Sequence, residues 1–197
     1  MATTRENRTI SDFKSRLVGG GARPNLFEVR MTDLPDFVDD WPSETFQFMC
    51  KAAALPASNI APIDVPFRGR IFKVAGDRTI DTWTITIIND EDFRIRNAME
   101  AWMDGIAKLS NNLGATNPSA YMRNATVFQL GRGANPRSEN ADGDRNAVLA
   151  EYEFIDMFPT NISQIDLSYD SSDTIEEFTV EFQVQSFNLN AAGGPDD

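Results

Sequence analysis

Residues 177–187 carry the clearest pattern in the chain. Phe178, Val180, Phe182 and Val184 fall on one side, and Glu177, Thr179, Glu181, Gln183 and Gln185 on the other. A period of two marks a strand with one buried and one wet face. Residues 81–88 alternate in the same way, with Trp83, Ile85 and Ile87 inward. Further strands are expected at 25–31 (Phe27, Val29, Met31), 44–52 (Phe46, Phe48, Cys50) and 67–75 (Phe72, Val74). Weaker alternation predicts strands at 121–130 (Val127, Leu130), at 148–157, and at 163–169 (Ile165, Leu167, Tyr169). In 148–157, Tyr152 and Phe154 stand against Glu151, Glu153 and Ile155. Gly76-Asp77 reads as a turn.

One helix is predicted, over about 90–110. Ile95, Ala98, Met99, Trp102, Ile106 and Leu109 recur at three and four residues and form one apolar stripe. Asn89 or Asp90 would cap it, Glu91 and Asp92 suit its positive end, and it should stop near Ser110–Gly114. Elsewhere only a helical turn around Ser11–Val18 is expected. The fold class is therefore mainly β, a β-sandwich or barrel with one flanking α-helix. Residues 1–23 read as an N-terminal arm and 24–187 as a single domain. The stretches 32–43 and 59–66, each with two prolines, read as irregular. Residues 131–146 read as a long exposed loop and 188–197 as a loose C-terminal tail.

Composition narrows the function. The 197 residues include 14 Phe and are 41% hydrophobic, enough for one real core. With 18 Lys+Arg against 30 Asp+Glu, the net charge is −12. That balance argues against gripping nucleic acid by its phosphates, which needs clustered cations. The charge is uneven: residues 151–197 hold eleven acids and no Lys or Arg. Acidic tails are usually disordered, but this quarter is rich in strand formers, so its charge is expected on a folded surface.

Candidate chemistry is sparse. The absence of His removes the usual general base and metal ligand, and a single Cys removes disulfides and metal–thiolate clusters. Gly19-Gly20-Gly21 lacks the following Lys-Ser/Thr of a phosphate loop, and Gly131-Arg132-Gly133 lacks its third Gly. Asp36–Asp40 and Asp142-Gly143-Asp144 lack the spacing of a calcium loop. Paired carboxylates could in principle hydrolyse a glycosidic bond, but thirty acids will always yield some close pairs. Cys50, alternating with Phe46 and Phe48, is expected to be a buried, inert thiol. The expectation is a non-enzyme without cofactor, metal or small-molecule ligand. Met1–Asp12 lacks the apolar run of a signal peptide and no stretch approaches a membrane span, which points to folding in a reducing cytoplasm. An eleven-residue strand exceeds the usual five or six. Its polar face could simply be wet, or it could line a barrel shared by several subunits, which would also remove exposed edges.

Short blocks in register carry a resemblance. They begin with Ala22-Arg23-Pro24-Asn25-Leu26-Phe27, Phe46-Gln47-Phe48-Met49-Cys50-Lys51-Ala52 and Leu55-Pro56-Ala57. Val74-Ala75-Gly76-Asp77-Arg78-Thr79, Asp81-Thr82-Trp83-Thr84 and Ile88-Asn89-Asp90-Glu91 follow. Phe158-Pro159-Thr160-Asn161, Gln164-Ile165-Asp166-Leu167 and Glu177-Phe178-Thr179-Val180 complete the series. In this order the chain resembles the tail tube proteins of contractile-tailed, T4-like bacteriophages, over roughly residues 10–187. The longer 131–146 loop, the N-terminal extension and the C-terminal tail depart from the family.

The resemblance implies hexameric rings stacked into a tube inside a contractile sheath, with strands of six subunits closing an inner β-barrel. It implies kinship with type VI secretion and R-type pyocin tubes. The implied partners are a homo-hexamer, the tail sheath, baseplate and tail terminator proteins, and a tape measure protein in the lumen before ejection. DNA would pass without specific binding. The implied location is the virion tail, assembled in the host bacterial cytoplasm. The loop at about 52–67 resembles the family's stacking loop, with Leu55, Pro56, Ala57, Ser58, Asn59, Ile60 and Pro62 as inter-ring candidates. For the lumen, Glu177, Thr179, Glu181, Gln183, Gln185, Glu151 and Glu153 are expected to supply an acidic or uncharged lining, which repels phosphate and keeps DNA mobile. The alternative is that these acids face the outside or the joint between rings. Other readings are an injection-system tube, a baseplate tube-initiator or, more distantly, a monomeric ligand-binding β-barrel.

Overall fold

A computed structural model of the chain describes residues 9–17, 20–132, 148–170 and 172–191. The class is mainly β, as expected, with nine strands and four helices among the described residues. The chain divides into two compact units, residues 29–127 with 152–189, and residues 1–28 with 128–151 and 190–197. Among the described residues, the buried hydrophobic side chains of the core lie in the larger unit.

Three adjacent strands organise that unit. β5 (Trp83–Ile88) and β7 (Val148–Ile162) flank β8 (Glu177–Gln183), antiparallel on both sides. The β5–β8 register pairs Trp83 with Phe182, Ile85 with Val180 and Ile87 with Phe178. Directly paired residues share a face, so all six stack as one apolar layer, each no more than 2% exposed. Trp83 also stacks on Phe154 at 4.4 Å, and its indole Nε1 donates to Ala54 O at 2.8 Å. The helix α3 (Arg94–Ile106) lays Ile95, Ala98, Met99 and Trp102 on this layer, with Trp102 5.9 Å from the Phe182 ring. Each such large apolar side chain contributes about 1.5–3 kcal/mol through burial. Trp102 Nε1 donates to Tyr121 O at 2.7 Å, so its buried polar atom is satisfied.

The remaining strands extend the same sheet. They are β1 (Phe27–Arg30), β2 (Cys50–Ala53), β6 (Arg123–Leu130) and β9 (Ser186–Ala191). The sheet order is β1-β6-β7-β8-β5-β2, with β9 also paired to β7. β1 and β2 end this path, so the sheet does not close within one chain. β9 follows β8 after a break at Val184 and Gln185, so the strand expected at 177–187 exists in two segments, and its second segment takes in the start of the expected tail.

Several expected elements differ. Residues 43–49 form the helix α2 (Ser43–Met49) rather than the first part of a strand. Phe46 is fully buried while Phe48 is 83% exposed, so the i, i+2 pair lies on opposite sides of a helix. Cys50 is buried as expected, and burial pushes its thiol up to about 12. Residues 163–168 are irregular despite their alternation. Leu167 and Tyr169 are exposed there, so no buried face selects a strand. The α3 start is later than expected. Asp90 and Asn89 do not cap it: Phe93 is the N-cap, in the left-handed region at φ 55°. Asn89 instead donates to Glu176 Oε2 at 2.9 Å, and Asp90 O accepts from Phe93 N in a turn. The helix ends before Leu109, which is 99% exposed and so leaves the stripe. The helical turn near residue 11 is α1 (Ile10–Arg16), and a further short helix, α4 (Pro118–Tyr121), precedes β6. The loop expected at 131–146 lies outside the described residues beyond Arg132.

Candidate functional site

Two surfaces are built for something other than the chain's own core. The first is the sheet face opposite the apolar layer. Register puts Thr84 beside Glu181, Thr86 beside Thr179 and Ile88 beside Glu177. On the other side, Gln183 pairs with Phe158 and Glu181 with Asn161 across a bulge at Pro159/Asn161. Glu153 neighbours the buried Phe154 in β7, so alternation turns it to the same wet face. Among the described residues, β5, β7 and β8 contain no Lys or Arg, yet they carry Glu151, Glu153, Asp156, Glu177 and Glu181. Lys51, beside this face in β2, is already paired with Glu177. The surface is threonine- and glutamate-rich, and phosphate finds few cations there to hold it.

Of the lumen candidates, Glu177, Thr179, Glu181, Gln183 and Glu153 therefore share one face. Gln185 does not belong to β8: it lies in the break, where its backbone N–H donates to Ile155 O at 3.3 Å. Glu151 lies two residues before Glu153 in β7 and falls in the smaller unit. Sequence reasoning missed Thr84, Thr86 and Asn161. The first two were available from the alternation with Trp83, Ile85 and Ile87.

The second surface is a hairpin. Among the described residues, β3 (Ser58–Phe67) and β4 (Arg70–Ile80) pair only with each other. The stretch expected to be irregular at 59–66 is thus a strand, and its two prolines stand in a pair whose outer edges have no further strand partner among the described residues. The turn lies at Arg68-Gly69, with φ of 47° and 82°, the two positive values of a tight I′ hairpin turn. Gly76-Asp77 is not a turn: β4 runs through it. Between Ile60↔Arg78 and Pro62↔Ala75 one extra residue is accommodated on β4, and a Cβ on Gly76 would sit 2.5 Å from Ala61 O. Glycine is needed there for close backbone approach.

The hairpin has two different faces. Ile63, Val65, Phe67, Phe72 and Val74 share one of them, each at least 42% exposed. The other carries the Asp64–Lys73 ion pair at 3.0 Å. An isolated hairpin is marginal in water, and a contiguous exposed apolar face marks an interaction surface. The stacking candidates distribute along its base. Leu55, Pro56 and Ala57 form the connection from β2, and Ser58, Asn59, Ile60 and Pro62 open β3. Asn59 Nδ2 donates to Asp81 Oδ1 at 2.9 Å and Arg78 Nη2 to Ser58 Oγ at 3.0 Å, which ties this base together. Phe72 and Val74 share one face of a strand, as expected, and that face is exposed on the second hairpin strand. Among the described residues, no three Cys, Asp or Glu side chains converge on a metal-sized site.

The model of the family described as phage tail tube protein matches residues 22–190. The chain belongs to the phage tail tube protein family. Tail tube protein gp19 of Enterobacteria phage T4 is 36% identical over 162 residues, covering 82% of this chain and 88% of the relative. The fold is shared with the tube-terminating cap of the anti-feeding prophage, at a TM-score of 0.58 and 16% identity over 98% of this chain and 100% of that one. It is also shared with a chain of the sheath–tube complex of an extracellular contractile injection system, PVC, at a TM-score of 0.50 and 13% identity over 94% and 99% of the two chains. A tail tube protein is a structural component of the virion tail and works in a multi-subunit tube. Both exposed surfaces suit that role: a tube subunit must offer a wall to the lumen and joints to its neighbours.

Proposed function

We propose that six copies close a ring in which the β5–β8–β7 face lines the lumen, and that rings stack through the β3–β4 hairpin. The observation that carries this reading is the cation-free, acid-bearing face of three adjacent strands. A lining with few Lys or Arg makes few phosphate contacts, so DNA crosses without being held. In this reading Glu177, Thr179, Glu181, Gln183 and Glu153 face the lumen, Glu151 lies further along the same strand, and Gln185 borders it. Six copies side by side would also continue the sheet beyond its end strand β2.

The hairpin, with Leu55, Pro56, Ala57, Ser58, Asn59, Ile60 and Pro62 at its base, inserts its apolar face against the adjacent ring. The partners are the contractile sheath outside, baseplate and terminator proteins at the two ends, and a tape measure protein in the lumen before DNA. Assembly takes place in the host cytoplasm, and the protein catalyses no reaction. Electron microscopy of the concentrated protein tests the reading: six-fold rings or tubes are expected. A monomer at every concentration, holding a small ligand, would overturn it.

A further inference from the structure

α1 is a helix without a core. Its N-terminus is well made: Thr9 and Asp12 form a reciprocal capping box, and the Thr9 contact holds the Asp12 carboxyl below its ordinary range. None of its residues is buried. Ile10 and Phe13 in the helix and Leu17 just after it recur at i, i+3 and i+7, so they form one row, 76%, 63% and 42% exposed. Lys14 and Arg16 stand in the last turn. Seven residues are too few to sustain a helix alone in water, so the row calls for a partner. The family match begins at residue 22, after α1 has ended.

A matching surface lies in the larger unit. Residues 165–169 and 174–177 line an open groove of about 540 Å³. Ile165, Leu167, Tyr169 and Ile175 supply its apolar lining, and Asp166 and Glu176 are among its acids. Leu167 and Ile175 are 79% and 72% exposed and Tyr169 is fully exposed. Residues 163–177 contain five acids and no Lys or Arg. An apolar row flanked by cations and an apolar groove rimmed by acids are complementary in shape class and in charge.

We propose that α1 of one copy docks in the groove lined by 165–169 and 174–177 of a second copy, as a strap between subunits. This rests on the multi-subunit tube. Every copy then offers one ridge and one groove, a head-to-tail contact that closes a ring or continues a stack. Ile10, Phe13 and Leu17 fill the groove between Leu167, Tyr169 and Ile175. Lys14 and Arg16 meet Asp166 and its acidic neighbours.

The test uses two differently tagged full-length chains, one carrying Phe13→Cys and the other Leu167→Cys. The native Cys50 is buried and does not compete. The chains are mixed, assembled and oxidised, since a disulfide forms only where the Cα atoms come within about 7 Å. A covalent dimer joining both tags is expected. Tubes by electron microscopy without that dimer would overturn the strap and leave the tube intact, whereas wild-type chains that form no rings would overturn the tube itself. A chain bearing both cysteines that gives only an intrachain bridge would also overturn docking on a second copy. Independently, Lys14→Glu with Arg16→Glu should lower pelletable assembly about fivefold at low salt. Adding Asp166→Lys and Asp170→Lys to the same chain should restore it. Assembly unchanged by the first pair would contradict the proposal.

Discussion

Trp83 concentrates much of what holds the larger unit together. It stacks on Phe154, touches Phe182 at 5.5 Å and satisfies the Ala54 carbonyl. Trp83→Phe keeps a ring but loses that hydrogen bond and part of the volume, so urea unfolding of the unassembled chain should show a loss of about 1–3 kcal/mol. Cys50 makes a different prediction. Burial raises its thiol from 9.0 to about 12 in the folded chain. Between those values the unfolded chain releases a proton that the folded chain keeps, so rising pH favours unfolding. The thiol's contribution is fully present below pH 9 and declines above it by about 1.4 kcal/mol per pH unit. Unfolding free energies measured on both sides of pH 9 should show this slope in the wild type and its loss in Cys50→Ala. The same slope in both proteins would contradict it.

At the scale of elements, the hairpin separates folding from assembly. Its apolar face covers none of the core, so Val65→Asp with Phe72→Asp should leave far-UV circular dichroism and the melting temperature nearly unchanged. Tube formation should be lost. A pair of substitutions that unfolds the chain would instead give the hairpin a role in the core. What was legible in the sequence follows the same division. β5, β8 and α3 could be read because each buries one face, and burial imposes a period. Of the hairpin only β4 could be read, in the strand expected at 67–75; β3 could not, because both hairpin faces are exposed within the chain and its two prolines read as irregular. Phe46 and Phe48 misled for the opposite reason: two apolar residues at i, i+2 fit a strand, while Pro42 and Glu44 mark the start of a helix at Ser43. At 163–169 the alternation is real but belongs to a groove, where Leu167 and Tyr169 stand exposed beside acids. The polar face of the candidate lumen was legible on β8 alone. Its neighbours Thr84, Thr86 and Asn161 are brought beside it by strand order and register, which no local pattern encodes.

For the whole molecule, the charge of −12 gains a direction. Eleven acids fall in residues 151–197, and those described on β7 and β8 lie in strands without any cation. In the proposed ring each position repeats, so one Lys added on the proposed lumen face becomes a belt of cations. Glu181→Lys should therefore assemble normally but slow DNA passage, and the delay should shrink as salt rises, because phosphate contacts weaken by counterion release. Ejection rates measured on phage carrying the variant would check it, and a rate equal to wild type at low salt would remove Glu181 from the lumen.

The most direct test is a cryo-electron microscopy reconstruction of the assembled tube. Six-fold rings are expected, with Thr84, Thr179, Glu181 and Gln183 on the inner wall and the 58–80 hairpin against the next ring. Glu181 on the outer surface of the tube would contradict this arrangement.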